Sequence, residues 1–269
     1  MNLSETTKDV LKKIEIAEQE GRLNDHLDDS PCLEYYEINE QYSYSLCLSK
    51  KILYALLRVF LIKPYTFIAN HFWLKTKVIG GSNLNGIKGG AIVTCNHVNK
   101  LDSVAIGYAL KKHRLHYTTA EFNNMKCKLG TYMRAYGIFP IPNRRSMMKK
   151  FQNQLEEYLN NGHWVSFFPE SSEWWCYEKP RPYQMGAFHY AAKFMVPILP
   201  VFITFKKTGK FTKEGIEKRK FIVHILRPIY PNISCSLKEN KEALKKKNEE
   251  IIWNCYRKFY KTDYEYKKY

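Results

Sequence analysis

Two residues, His97 and Asp102, have the types and the spacing of a catalytic base and its orienting carboxylate. A neutral imidazole can take the proton of a hydroxyl group near neutral pH. Its other ring nitrogen must be held by an acceptor so that the correct tautomer faces the substrate. A carboxylate five residues on, across a strand-to-helix turn, can reach back to that nitrogen. The pair therefore predicts general-base catalysis, which contributes about 10²–10⁴-fold to a rate.

The spacing of this pair is weak support by itself, and its context is stronger. With eight histidines and six aspartates in 269 residues, a chance pair five positions apart arises in about one such chain in six. Asp102 is, however, the only aspartate between residues 30 and 262. Its alternative role is to cap the following helix, and that role is compatible with catalysis.

Two further candidate residues follow predicted apolar segments in the same way. Arg144 follows the segment 137–141, and Glu170 follows a strand predicted at 163–168. In open α/β sheets, ligands bind at the carboxyl ends of the strands. We therefore expect Arg144 and Glu170 to share one site with His97.

The elements that must position these residues alternate between strands and helices. Strands are predicted at 90–95, 115–119, 163–168, 197–204 and 221–227, and helices near 102–112, 123–135, 146–161, 184–195 and from about 237. This alternation predicts an α/β fold with a mixed, mostly parallel sheet flanked by helices. Four regions are expected: an acidic helix and arm at 1–45, apolar cationic helices at 46–74, the α/β domain at 75–235 and a basic helix at 236–269.

Charge is distributed unevenly along the chain. Residues 1–45 carry four Lys or Arg and eleven Asp or Glu, whereas the remaining 224 residues carry 39 and 15. Such a basic body is expected to bind a polyanion, either an anionic membrane or a nucleic acid. A basic protein with no polyanionic target is the simpler alternative.

Cysteine usage and the N-terminus bear on the compartment. Seven cysteines are scattered with no C-x-x-C pair, so neither a disulfide framework nor a zinc site is indicated, and a reducing cytosolic setting fits better. Residues 1–21 have no cleavable apolar stretch, and no secretory signal is predicted.

The segment 46–74 contains two apolar runs separated by Pro64. The first run is too short to span a bilayer, which needs about 20 apolar residues. Joining the two would bury Arg58 and Lys63, each costing about 2.5–3.5 kcal/mol at the bilayer centre. We therefore predict a helical hairpin in the membrane interface, with the lysines at the headgroups. A pair of core helices and a membrane-spanning segment are the alternatives.

Four ordered blocks of the sequence resemble the lysophospholipid (glycerolipid) acyltransferase family, which includes bacterial 1-acylglycerol-3-phosphate acyltransferases. The blocks are Asn96-His97-x4-Asp102, Gly137-Ile-Phe-Pro-Ile-Pro-Asn-Arg144, Phe168-Pro169-Glu170-Ser171 and Val196-Pro-Ile-Leu-Pro-Val201. The resemblance covers about residues 75–230, and four blocks in order make a strong signal.

The resemblance implies a role for each matched residue. His97, oriented by Asp102, would deprotonate an acceptor hydroxyl that attacks an activated acyl carbonyl. The expected substrate-binding residues are Asn96, Arg144, Glu170, Ser171, Lys179 and Arg181.

The implied reaction is transfer of a fatty acyl group from acyl-carrier protein or coenzyme A to a lysophosphatidic-acid-like acceptor in phospholipid biosynthesis. No metal or bound cofactor is expected. The expected location is the cytoplasmic face of the cell membrane, as a peripheral or monotopic protein on an anionic membrane surface.

The sequence departs from the family pattern after Glu170. The family has Gly-Thr-Arg or Gly-Ser where this chain has Ser171-Ser172-Glu173, and a Phe-Lys-Lys-Gly run where it has Tyr183-Gln-Met-Gly186. Lys179 and Arg181 are candidates to replace the missing phosphate-binding lysines.

Three alternatives follow from the departures and the charge. One is an acyltransferase for another lysolipid, an aminolipid or a glycolipid. Another is a basic nucleic-acid-binding protein, although no binding motif is present and no nucleic acid is expected as a partner. The third, a non-catalytic lipid-binding scaffold, does not explain why both His97 and Asp102 are present.

Overall fold

The computed structural model describes residues 7–27, 34–213 and 215–263, and a seven-stranded sheet lies at its centre. The strands are β1 (Lys77–Ile79), β2 (Ala91–Cys95), β3 (Leu115–Ala120), β4 (Ile138–Ile141), β5 (Trp164–Phe167), β6 (Ile198–Phe211) and β7 (Glu217–Ile225). Their order across the sheet is β1-β7-β6-β2-β5-β3-β4. Neighbouring strands are parallel except β6 and β7, which form an antiparallel hairpin. The predicted mixed, mostly parallel sheet is confirmed.

Strand β2 lies in the interior of the sheet, and every residue in it is buried. A strand covered on both faces needs a continuous apolar run, which the sequence Ala-Ile-Val-Thr-Cys largely provides. Thr94 of β2 lies opposite Phe167 of the parallel strand β5, so the two strands end level with each other. Their carboxyl ends lead to His97 and Glu170, respectively, and the strand pairing brings these two residues together.

Helices cover both faces of the sheet. They are Thr7–Gln19 (the N-terminal helix), Leu48–Trp73, Asp102–Ala109, Lys128–Tyr136, Met148–Asn160, Gly186–Phe194 and Leu237–Tyr260. Val93 packs with Ile106 in one core, whereas its neighbour Ile92 packs with Phe151 and Phe188 in the other. Adjacent residues of a strand point to opposite faces, and therefore each face of the sheet carries its own core.

The segment 46–74 forms one helix, and the predicted hairpin with a break at Pro64 was wrong. The helix runs over 26 residues from Leu48 to Trp73 and is called the apolar helix below. Proline lacks an amide N–H, and its ring crowds the carbonyl four residues earlier, here that of Phe60. Phe60 lies in a wider π turn at Arg58–Ile62, which makes room for the ring.

The apolar helix contacts the domain along one side and is exposed along the other. Asn70 donates a hydrogen bond to the Val104 carbonyl at 3.2 Å, and Arg58 donates one to the Ala135 carbonyl at 3.2 Å. Its exposed apolar side chains include Leu48, Ile52, Leu56, Phe60, Phe67, Phe72 and Trp73. The alternative of core helices is therefore wrong. By length and composition the helix could cross a membrane.

Candidate active site

His97 lies in the turn between β2 and the helix that begins at Asp102. Its Nδ1 is 3.0 Å from Oδ2 of Asp102. The same Oδ2 accepts the backbone N–H groups of Val98, at 2.6 Å, and Asn99, at 2.9 Å. The carboxylate is thus held by the turn that it closes. It orients the imidazole so that the opposite nitrogen, Nε2, is the one left to face a substrate.

Asp102 is 1% exposed, whereas the side chain of His97 is 25% exposed. Burial raises the pKa of the Asp102 carboxyl, and the hydrogen bond and charge of His97 act in the opposite direction. The cap position of the helix belongs to Leu101, and Asp102 is the first helical residue. The capping alternative therefore does not describe Asp102, whose carboxylate serves the turn and the imidazole.

A phenylalanine holds the imidazole ring from a second direction. The rings of Phe168 and His97 are stacked, with centroids 4.3 Å apart and planes at 24°. Phe168 follows β5 and is half-buried. We did not select it from the sequence as a site residue, although it belongs to the Phe168-Pro169-Glu170 block that carried the resemblance.

Glu170 lies against the backbone of His97 and is 1% exposed. Its Oε2 accepts the His97 backbone N–H at 3.2 Å and lies 3.0 Å from Nη2 of Arg181. Its Oε1 accepts the backbone N–H of Arg181 at 3.1 Å. Burial raises the pKa of the Glu170 carboxyl, and the charge of Arg181 lowers it. The structure brings Glu170 to His97, but both carboxylate oxygens bind protein groups instead of facing a substrate.

The predicted phosphate ligands Arg181 and Lys179 are both engaged within the protein. The side chain of Arg181 has no solvent exposure, and its Nη1 donates to Ser172 Oγ at 2.9 Å. Lys179 forms an ion pair with Glu18 of the N-terminal helix. A guanidinium in this buried position does not face a phosphate, and substrate binding by Arg181 stays a prediction. Lys179 would first have to break its ion pair.

The side chain of Asn96 connects the end of β2 to β6 by hydrogen bonds. Its side chain is fully buried, Nδ2 donates to the Ile203 carbonyl at 2.9 Å, and Oδ1 accepts the Ile203 N–H at 2.8 Å. These bonds tie the end of β2 to β6 and fix the residue before His97. Both ends of its amide are already bonded within the protein, and substrate binding by Asn96 stays a prediction without support from these contacts.

Ser171 is exposed and adopts a left-handed backbone conformation, with φ of 67°. Its N–H donates to the Phe168 carbonyl at 3.0 Å, which closes a tight turn around Glu170. Glycine adopts this conformation without steric cost, and the resembling family has glycine here. Serine in place of glycine at this position therefore introduces backbone strain, but the turn still forms.

Arg144 shares the carboxyl edge of the sheet with His97 but not its contacts. It follows β4, which is separated from β2 by β5 and β3. Three strand spacings place about 14 Å between β2 and β4. The side chain of Arg144 is 57% exposed and pairs with Glu37 at 3.3 Å. A substrate with two polar groups could bridge this gap, whereas the protein side chains do not.

The arrangement provides one half-buried imidazole whose ring is fixed. Asp102 and Phe168 orient the imidazole of His97, and Glu170 fixes its backbone. Within residues 7–27, 34–213 and 215–263, no group of three or more His, Cys, Asp or Glu side chains could hold a metal ion. The chemistry that these residues can perform is proton transfer to and from a substrate oxygen.

Residues 75–204 match the family model described as Acyltransferase. This stretch, just under half of the chain, is similar to the domain that the family model describes. This acyltransferase domain begins just before β1 and contains His97, Asp102, Arg144 and Glu170, and the resemblance inferred from the four sequence blocks is confirmed.

Two relatives agree with this assignment. The 1-acyl-sn-glycerol-3-phosphate acyltransferase of Saccharomyces cerevisiae is 29% identical over 162 residues, which are 58% of this chain and 52% of the yeast protein. The chain thus spans about half the length of that curated relative. The solved structure of the 1-acyl-sn-glycerophosphate (LPA) acyltransferase PlsC from Thermotoga maritima aligns over 81% of this chain and 96% of its own, with 17% identity and a TM-score of 0.52. This likeness shows that the acyltransferase domain shares the fold of PlsC.

Proposed function

We propose that the protein transfers a fatty acyl group from a thioester of acyl-carrier protein or coenzyme A to the free hydroxyl of a lysophosphatidic-acid-like acceptor. The observation that carries the proposal is the 3.0 Å contact between His97 and the buried carboxylate of Asp102. It lies inside a domain of the acyltransferase family. The names of the yeast and Thermotoga relatives support a glycerol-phosphate acceptor.

In the proposed reaction, Nε2 of His97 takes the proton of the acceptor hydroxyl as the oxygen attacks the thioester carbonyl. The tetrahedral intermediate collapses with cleavage of the carbon–sulfur bond, and the proton on Nε2 passes to the departing thiolate. One ester bond forms and one thioester bond breaks, so that the products are the acylated acceptor and a free thiol. Asp102 stabilises the imidazolium that exists between the two proton transfers.

The decisive experiment is acyl transfer by the purified protein, with wild type and His97→Ala compared at equal concentration. We expect the variant to lose at least about 10²-fold in kcat because the general base is removed. A control variant, His189→Ala, changes a half-buried histidine of the helix Gly186–Phe194. Equal kcat in the wild type and His97→Ala would disprove the proposal.

The acceptor is best supported as a lysolipid with one phosphate. Arg144 is an exposed cation at the edge where His97 lies, and a surface carboxylate, Glu37, is its partner in this structure. A phosphate could displace that carboxylate because exposed ion pairs contribute only about 0–1 kcal/mol.

A different lysolipid, an aminolipid or a glycolipid is the second candidate acceptor. The motivation is that Arg181 is buried and Lys179 is ion-paired, so that fewer cations face the site than the family pattern implies. Product analysis by mass spectrometry with a panel of acceptors separates the two. Exclusive use of lysophosphatidic acid would reject the second candidate.

We further propose that the apolar helix lies in the membrane interface at the cytoplasmic face, where a cytosolic thioester donor can reach the site. The helix rests along the domain through Asn70 and Arg58, so it lies flat against the protein. Its outer side presents Phe60 and Phe72, and the lysines at positions 50, 51 and 63 are exposed for anionic headgroups.

Flotation with phosphatidylglycerol vesicles tests the membrane proposal. Phe60→Glu and Phe72→Glu should each weaken binding several-fold because a charge would enter the apolar layer. Ile233→Glu is the control, since Ile233 is 90% exposed and lies outside the helix. Unchanged binding of both helix variants would reject this surface as the contact.

A further inference from the structure

The peptide groups on both sides of the His97 side chain are held by one loop, residues 170–176. Glu170 accepts the His97 backbone N–H at 3.2 Å, and Trp174 donates its backbone N–H to the His97 carbonyl at 2.9 Å. Cys176 repeats this contact one residue on, by donating to the Val98 carbonyl at 2.9 Å. The position of the catalytic imidazole therefore depends on the shape of this loop as well as on Asp102.

The side chain of Arg181 contacts three residues of the loop and holds them together. Its guanidinium lies 3.0 Å from Glu170, donates to the side chain of Ser172 at 2.9 Å and to its carbonyl, and stacks 4.6 Å from the centre of the Trp174 ring. A buried ion pair is costly to form unless hydrogen bonds satisfy the remaining donors. The loop accepts most of the bonds that the Arg181 guanidinium makes, and one more is accepted by a distant part of the chain, while Nε has no partner among the described residues.

That distant part is the segment that follows the N-terminal helix. The Leu23 carbonyl accepts from Arg181 Nη1 at 3.3 Å. The Asp25 carbonyl accepts from Ser172 Oγ at 2.8 Å and from the indole N–H of Trp174 at 2.9 Å. Two backbone carbonyls thus bind two side chains of the loop 170–176 and the side chain of Arg181.

The N-terminal helix secures this contact by apolar packing. Ile14 and Ala17 are buried in a cluster with Trp174 and Tyr177. Trp174 itself is fully buried, and Glu18 adds an ion pair to Lys179, three residues beyond the loop. The helix and the loop therefore form one packed unit beside the site.

We propose that residues 7–27 are a positioning element for the base: the carbonyls of Leu23 and Asp25 hold Arg181, Ser172 and Trp174, and through them Glu170 and the backbone of His97. These residues touch no reacting atom, and their contribution is to hold the imidazole where the acceptor hydroxyl arrives. A misplacement of about 1 Å at a reacting group can cost about 100-fold in rate. This inference rests on the proposed acyl transfer.

Two matched tryptophan variants of the full-length protein test the proposal. Trp174→Phe removes the indole N–H that binds the Asp25 carbonyl and keeps most of the buried ring. Trp164→Phe is the control. Trp164 is also buried and donates its indole N–H to the Gly89 carbonyl at 3.1 Å, but it lies at the amino end of β5, whereas His97 follows the carboxyl end of β2. Both variants lose the same kind of buried hydrogen bond.

Trp174→Phe should lower kcat by about tenfold or more, with the KM for the lysolipid changed less than twofold. Trp164→Phe should stay within twofold of the wild type in both constants. Hydrogen–deuterium exchange should become faster at the His97 amide in Trp174→Phe and remain unchanged there in Trp164→Phe. Equal loss of kcat in both variants, or an unchanged His97 amide in Trp174→Phe, would overturn the proposal.

Ser172→Ala provides a second, smaller perturbation if Trp174→Phe does not fold. It removes only the hydroxyl that joins Arg181 to the Asp25 carbonyl, and the same two changes, in kcat and in His97 exchange, are expected. Ser82→Ala is its control, at an exposed serine between β1 and β2. The exchange measurement needs no substrate, so the absence of acyl transfer by the wild type would refute the proposed function separately.

Discussion

The imidazole of His97 and the ring of Phe168 are stacked, with centroids 4.3 Å apart. The hydrogen bond from Nδ1 to Asp102 fixes one end of the imidazole, but the ring could still rotate about that bond. The stacked ring restricts this rotation because it covers one face of the imidazole. The direction in which Nε2 points is therefore set by two residues, Asp102 and Phe168. Asp102 begins the helix that follows β2, and Phe168 directly follows β5.

Phe168→Leu should lower kcat by about three- to tenfold, since a stacked pair contributes about 0.5–1.5 kcal/mol. The KM should change less than twofold because Phe168 acts on the base. The control is Phe167→Leu, at a buried neighbour that packs on the opposite face of the sheet. Steady-state kinetics of both variants checks this, and an equal decrease in the two would show a general loss of packing instead.

Asp102→Asn should lower kcat by about 10²-fold or more while the protein stays folded. The amide oxygen can still accept the N–H groups of Val98 and Asn99, but a neutral amide stabilises the imidazolium poorly. Thermal unfolding and acyl-transfer rates are measured together. Asp263→Asn, the same change at an exposed residue, is the control, and wild-type kcat in Asp102→Asn would contradict the assigned role.

Ser171→Gly should stabilise the protein by about 0.5–1 kcal/mol and preserve activity. The left-handed conformation at φ of 67° strains a residue that carries a Cβ, and glycine removes this strain. Ser171→Ala keeps the Cβ and should bring no such gain. Urea unfolding measures both variants, and equal free energies of unfolding for them would mean that the Ser171 backbone is not strained.

Part of the stability should disappear as the pH falls from about 6.5 towards 4. Burial lowers the pKa of His224 to about 4, whereas an unfolded histidine titrates near 6.5. In that interval the unfolded chain binds the extra proton, so the free energy of unfolding falls with pH, by at most about 3 kcal/mol from this residue. His224→Gln should flatten the dependence, as measured by urea unfolding at pH 7 and 4.5. An identical change in the free energy of unfolding between pH 7 and pH 4.5 in the variant would refute the role assigned to His224.

The strands and the contact between His97 and Asp102 could be predicted from the sequence because their signals are local. The buried strand β2 is a continuous apolar run, and His97 and Asp102 are five residues apart, within the reach of a single turn. The structure places the contact where the spacing predicted it. The apolar character of residues 48–73 was equally visible, and the error at Pro64 arose because a π turn can absorb a proline without ending the helix.

The substrate-binding residues were less predictable because residue type does not reveal burial. Asn96 and Arg181 have the polar groups that a substrate site needs, and both are buried in the protein. Whether a guanidinium meets a phosphate or the carboxylate of Glu170 depends on how the chain packs around it. The family resemblance supplied the block of residues but not the direction of each side chain.

The sequence by itself determined the α/β fold, the resemblance to the acyltransferase family and the contact between His97 and Asp102, since alternating elements and a five-residue spacing are short-range properties. Only the tertiary structure decided what surrounds them. Trp174 meets the Asp25 carbonyl across 149 positions of the chain, and Phe168 reaches His97 because β2 and β5 pair in parallel and end level. Contacts of this kind depend on strand order and on which surfaces bury one another, which no local spacing encodes.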